Sequence, residues 1–214
     1  MSLLDLKKLE GDIPGLSGFP SRILAKTYNE FIDVLYKDID SVISYIQENP
    51  ETRVGDTEDR LTIDIIGSLR CYGYIATHDT KIGGHADIVV RKSEFIWIGE
   101  AKIYRGCEYV WQGFLQLTTR YSIGDSNQKD GGMLIYIKDH KNARKVMEDW
   151  KEHLCKKSLS QYSHKSCESR DNCFSSSHEH DKSGNPFLVR HMPVMLYFSP
   201  QDKSGLSSKK ILGT

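Results

Sequence analysis

Asp87, Glu100 and Lys102 fall within sixteen residues of one another, in the stretch GGHADIVVRKSEFIWIGEAK from Gly83 to Lys102. Carboxylate oxygens are the preferred ligands of hard divalent cations, and an amine beside them can orient or stabilise a hydroxide. Two acids and one lysine are therefore the minimum equipment for metal-assisted hydrolysis of a phosphodiester. Their setting is unusual, because they interrupt apolar runs that read as strands, and buried strands disfavour charge.

Strand periodicity puts them together. Successive side chains on a strand point to opposite faces. In Phe95–Ile103, one face carries Phe95, Trp97, Gly99, Ala101 and Ile103, and the other carries Ile96, Ile98, Glu100 and Lys102. Glu100 and Lys102 thus share a face, about 6.5–7 Å apart along the strand. Upstream, His85, Asp87, Val89 and Arg91 alternate with Ala86, Ile88 and Val90. The polar Lys92-Ser93-Glu94 between the two runs suits a hairpin, which would bring Asp87 beside Glu100 at its open end. Adjacent like charges raise each other's proton affinity unless a cation lies between them. In a chain that is 27% charged, a lone E-x-K triplet is equally well an exposed pair. Ile96 and Ile98 on the same face, and Asp87 upstream, favour a site.

Two helices add candidates. Glu58 opens a segment from about Thr57 to Cys71 in which Leu61, Ile65 and Leu69 lie on its own face. That stripe must meet the sheet and carries Glu58 inward with it, although acids in a first helical turn also simply favour the helix dipole. Asp56 and Asp59 lie off the stripe. After the Glu100–Lys102 strand, Gln112, Gln116 and Arg120 make a polar stripe on a helix over about Tyr109–Tyr121. Gln116 could orient a water or a phosphate there, and Arg120 could contact phosphate.

The elements that must position these residues follow from pattern. Met1–Pro20, broken by Gly11, Pro14, Gly15, Gly18 and Pro20, reads as an extended arm. A long amphipathic helix follows through Leu24, Tyr28, Phe31, Leu35, Ile39, Val42 and Ile46, with Ser21 as cap and Asn49-Pro50 as stop. Strands are expected at Tyr74–Thr77, Ala86–Arg91, Phe95–Ile103, Gly132–Lys138 and Phe187–Phe198, and a helix at about Asn142–Cys155. Residues 156–185 read as a long Cys/His-rich loop within a single domain spanning 21–214. The order predicts an α/β fold with one mixed central sheet flanked by helices.

Composition sets outer limits. The 214 residues fit one domain with a sizeable core. Mean hydropathy of -0.48 is ordinary for a soluble chain, and no apolar run approaches the roughly 20 residues that span a bilayer. The opening residues lack a signal-peptide core, so a cytoplasmic location without membrane association is expected. Five cysteines without framework spacing predict reduced thiols. Cys155, His164, Cys167, Cys173, His178 and His180 lack the paired spacing of a zinc knuckle, and favour a flexible or substrate-contacting loop over zinc. Lys156, Lys157, Lys165 and Arg170 lie in the same loop. His85 reads as a loop-end histidine, His191 as a packed one, and Trp97, Trp111 and Trp150 as core. The formal net charge is zero, so any nucleic-acid surface must come from local clustering.

A helix-borne acid, then Asp87, then Glu100-Ala101-Lys102 on the next strand resembles the PD-(D/E)xK, or restriction-endonuclease-like, nucleases. The resemblance covers Thr57–Lys138 by motif order. It implies an αβββαβ core and magnesium-dependent (or manganese-dependent) phosphodiester hydrolysis. Asp87 and Glu100, joined by Glu58, would be the metal-binding acids, Lys102 the water-positioning lysine, and Gln116 the glutamine of the recombination-nuclease-like members. Those members often place a tyrosine four positions after that glutamine; here Arg120 stands there and Tyr121 comes next. The proline that often precedes the first acid is replaced by Ala86. The implied function is a DNA endonuclease of defence or repair, binding nucleic acid, DNA rather than RNA. Single-domain size without a recognisable specificity domain suggests a homodimer or a partner protein. The alternatives are a cleavage-deficient nuclease-like binding module and an RNA-cleaving effector.

Overall fold

The apolar run Met133–Ile137 shows how the sheet is built. Met133, Ile135 and Ile137 enter one core cluster and Leu134 and Tyr136 the other, all with no exposure. A strand that is apolar on both faces needs helices on both, and that is the arrangement of this computed structural model, which describes residues 2–202.

Helices α1 (Leu3–Lys8), α2 (Phe19–Leu24), α3 (Tyr28–Gln47) and α4 (Glu58–Cys71) precede strands β1 (Ile75–Thr77), β2 (Thr80–Lys81), β3 (His85–Ala86), β4 (Ile88–Lys92) and β5 (Phe95–Ile103). Helix α5 (Cys107–Leu115) runs into a π-helical segment, Gln116–Tyr121. Strand β6 (Asp130–Ile137), helix α6 (Ala143–Cys155) and strands β7 (Ser163–Ser166), β8 (Phe174–Glu179) and β9 (Pro186–Met195) complete the order. Seven strands form a mixed sheet in the order β1-β4-β5-β6-β9-β8-β7, and β2 pairs only with β3. β5, β6 and β9 run parallel at the centre, with antiparallel strands on either side. Helices α3 and α4 cover one face through Phe31, Leu35, Leu61 and Ile65. Helices α5 and α6 cover the other through Val110, Phe114, Val146 and Trp150. Trp97 lies across Gly99 and Gly132, where any β-carbon would collide with its ring.

Several expectations are corrected. The N-terminal segment is not extended. Ser2 and Asp5 form a capping box for α1, and Pro14 and Pro20 sit in first turns, where a missing N–H costs nothing. Ser21 does not cap the long helix; its hydroxyl donates to Glu10 at 2.6 Å, and α3 begins after a Thr27–Glu30 capping box. The expected strand at Ala86–Arg91 is divided by a bend at Asp87. The expected helix over Tyr109–Tyr121 changes to wide π turns at Gln116. The 156–185 loop instead holds the β7–β8 hairpin. Phe174–Glu179 alternates buried and half-buried residues, a period of two that its three serines conceal.

Candidate functional site

The β4–β5 hairpin turns through Ser93 (φ 52°), and its register runs from Lys92 opposite Phe95 to Ile88 opposite Gly99. There β4 stops, and the bend places Asp87 one step further on, level with Glu100. Strand β5 continues alone on that edge, so its N–H groups need other acceptors. Two carboxylates supply them: Asp87 Oδ2 accepts from Ala101 N–H at 2.9 Å, and Glu58 Oε2 accepts from Ile103 N–H at 2.6 Å. Glu58 can reach because it is the first residue of α4, after its cap Thr57, with Leu61, Ile65 and Leu69 buried below it.

Lys102 joins the three acids. Its Nζ lies 2.6 Å from Glu100 Oε1, 3.5 Å from Glu58 Oε1 and 3.8 Å from Asp87 Oδ2. Fully ionised, three carboxylates against one ammonium leave a formal charge of −2. Glu100 is 1% exposed, and its Oε2 is buried with no donor to receive. Burial first, and the neighbouring Asp87 charge second, push the Glu100 carboxyl up to about 8, against the opposing pull of Lys102. A proton shared with Asp87, or a cation, would relieve that oxygen. Burial alone would lower the pKa of the Lys102 ammonium, but the charges of Glu100, Asp87 and Glu58 outweigh it and raise it.

Helix α5 closes the site from the covered face. Gly113 lies against the Lys102 stem, where a β-carbon would fall 2.9 Å from Cγ and 3.0 Å from Cε. Sequence reasoning missed Gly113; its signal was a glycine inside an otherwise apolar helix pattern. Gln116, half-buried and three residues on, shares that face of the helix, on a segment that packs against β5. No hydrogen bond joins it to the acids among the described residues. Tyr121 was not among the candidates read from the sequence. The Ser122 N–H donates to the Leu117 carbonyl at 3.1 Å, an i→i−5 bond that widens the helix at this point. Tyr121 is buried under Gly84, and its hydroxyl pKa is raised by burial, then by the charges of Glu100 and Asp87. Gly83, at φ 64°, lets β2–β3 run against the Arg120 carbonyl, a path no side chain could follow.

Other candidates lie elsewhere. His85 is exposed and bonded to Asp79 at 2.7 Å. Arg120 is exposed. His191 is fully enclosed, held by Trp150 Nε1 at 3.1 Å and Ser176 Oγ at 2.9 Å. Lys157 pairs with Glu108, and Arg170 is tied to the α3 backbone at Asp40. The cysteines and histidines of 155–180 are distributed along the β7–β8 hairpin and its flanks, with His178 against Phe114 and His180 against Ser122. Among the described residues no group of three or more His, Cys, Asp or Glu side chains has the arrangement of a metal-holding cluster; at the acid site the Lys102 ammonium stands between the carboxylates. No helix among them is long and apolar enough to cross a membrane.

Compared with protein-family models, curated proteins and solved structures, the chain matches none.

Proposed function

We propose that this protein is a metal-dependent nuclease with a restriction-endonuclease-like core, hydrolysing phosphodiester bonds in DNA. One observation carries the reading: Glu58, Asp87 and Glu100 meet around Lys102 with a surplus of negative charge and an unpartnered buried oxygen on Glu100. The succession α4, β1, β4, β5, α5, β6 supports it, being a helix, three antiparallel strands, a crossover helix and a parallel strand.

The donor set is all oxygen, which suits Mg²⁺ or Mn²⁺. Asp87, Glu100 and Glu58 would hold the ion, which would supply Lewis-acid stabilisation of the charge that develops on the phosphate. The chain does the rest. Backbone N–H groups of Ala101 and Ile103 fix the Asp87 and Glu58 carboxylates. Lys102, pinned between Glu100 and Gly113, offers N–H donors to a water or a phosphate oxygen beside the acids. Defence against foreign DNA, or repair, is the setting that analogy with the superfamily offers.

The test is incubation of the purified protein with plasmid DNA and with RNA, in Mg²⁺, in Mn²⁺ and in chelator. Cleavage of DNA that needs the metal and disappears in Lys102→Ala is expected. Cleavage that survives chelator, or is indifferent to Asp87→Ala, would end the proposal. Cleavage of RNA alone would replace DNA with an RNA-cleaving effector, and metal-dependent DNA binding without cleavage would leave a binding module.

A further inference from the structure

Three strands away from the acid cluster, the β7–β8 hairpin brings two sulfurs together. Cys167 and Cys173 lie one step beyond its last paired residues, Ser166 and Phe174, on the turn side. The Cys167 N–H donates to the Cys173 carbonyl at 3.0 Å, so the two residues face each other across the ladder. Directly opposed, hydrogen-bonded residues have Cα atoms about 5.5 Å apart, inside the roughly 4.4–6.8 Å range that a disulfide spans. The sulfurs are 3.0 Å apart, the Cys173 thiol donating to Cys167, and both cysteines are free.

The two thiols have different surroundings. Cys173 is 4% exposed. Cys167 is half-buried and lines two surface clefts of about 610 and 570 Å³, only the first of which Cys173 also borders. The hydrogen bond from Cys173, then Arg190 and Ser175, hold the Cys167 thiol below its ordinary pKa, although burial works against them. The Cys173 thiol is raised by that same bond and by burial. The more exposed sulfur is thus the one whose thiolate is favoured, and the enclosed sulfur the one whose thiol is. That division suits an attacking thiolate and a resolving thiol.

We propose that Cys167 and Cys173 form a hydroperoxide-reactive dithiol that closes to a disulfide. The Cys167 thiolate attacks the terminal oxygen of a hydroperoxide; an S–O bond forms as the O–O bond breaks. The departing alkoxide, or hydroxide, takes up a proton, leaving Cys167 as a sulfenic acid. Cys173 then gives up its proton and attacks the Cys167 sulfur. The S–S bond forms, the S–O bond breaks, and hydroxide leaves with that proton as water. Two thiols and one hydroperoxide become one disulfide, one alcohol (or water) and one further water, the two electrons passing from sulfur to the peroxide. Closure fastens the turn that carries Ser169 and Arg170, which bond to Asp40, Ser44 and Gln47 of α3.

The experiment treats the intact protein with near-stoichiometric hydrogen peroxide, alkylates the remaining thiols and maps the peptides by mass. The peptide joining residues 167 and 173 should lose two hydrogens and resist alkylation, at least about tenfold faster than Cys71, Cys107 or Cys155 react. A thiol reductant should restore it. In Cys173→Ser, Cys167 should accumulate as a sulfenic acid that dimedone captures. Equal alkylation of Cys167 before and after peroxide in the wild-type chain would overturn the proposal without recourse to any variant. So would peroxide reaction at Cys155 as fast as at Cys167.

Discussion

Two buried carboxylates answer the same problem differently. Asp38, 6% exposed on α3, receives Arg22 on Oδ1 at 2.9 Å and the Tyr74 hydroxyl on Oδ2 at 2.7 Å. One cation serves one anion, and both oxygens are occupied. Glu100 receives Lys102 on one oxygen, nothing on the other, and shares that lysine with two further acids. Burial raises the pKa of both groups, but only beside Glu100 does a second carboxylate add to it as a leading cause. A charge that is matched one to one holds a fold together, whereas one left in excess on a sheet margin is poised for a ligand.

The contrast can be broken by paired substitutions. Lys102→Met should lower DNA cleavage in Mg²⁺ by about 10³-fold or more, about 4 kcal/mol of barrier. Arg22→Met should leave the folded protein's cleavage rate within about threefold while costing about 3–5 kcal/mol in chemical denaturation, because Asp38 is stranded. If the two variants behave alike in both measurements, the distinction between the two acids fails.

Glu100→Gln gives the next largest effect. A carboxyl raised from 4.5 to about 8 adds stability that is fully present below pH 4.5 and is lost as pH climbs through 8. The glutamine variant lacks that slope, so at pH 8.5 without metal it should be the more stable protein, by on the order of a few kcal/mol. At pH 5 the difference should shrink. Mg²⁺ should raise the melting temperature of the wild type at pH 8.5 and not that of the variant.

Asp87 sharpens the same point on a smaller scale. Asp87→Ala should cost about 1–3 kcal/mol, since Ala101 N–H loses its acceptor, whereas Asp87→Asn keeps an oxygen there and should cost less. Both should abolish cleavage, which separates fastening from chemistry. Gly113→Ala should have the smallest effect. Its new methyl must push the Lys102 stem by a few tenths of an ångström, lowering the cleavage rate by about tenfold or less with little change in unfolding.

The acid site was legible because strand alternation is a strict geometric rule. Once Ile96 and Ile98 set the face, Glu100 and Lys102 had to share it, and the hairpin spacing placed Asp87 level with Glu100. The α4 stripe likewise carried Glu58 to the sheet. What sequence hid has physical reasons. Gly113 and Gly84 act through the space they leave; a glycine in a helix pattern can mark such a position but not the neighbour that fills the space. Tyr121 is set by a π turn, which a 3.6-residue period does not anticipate. In β8 the serines gave no apolar contrast, so a strand read as loop. In the N-terminal segment the two prolines suggested breaks, although both sit in first helical turns.

The passage from α5 into wide turns also divides the helix into two mechanical parts. In an α-helix each residue advances the phase by about 100°, so a deletion between Cys107 and Gln112 would rotate Gly113 away from Lys102. The wide stretch already holds one residue of slack. Losing one residue between Leu117 and Tyr121 would let it tighten to ordinary α-helix, with the phenol still over Gly84. A deletion in the first half should therefore disturb the ammonium, and a single deletion in the second should not.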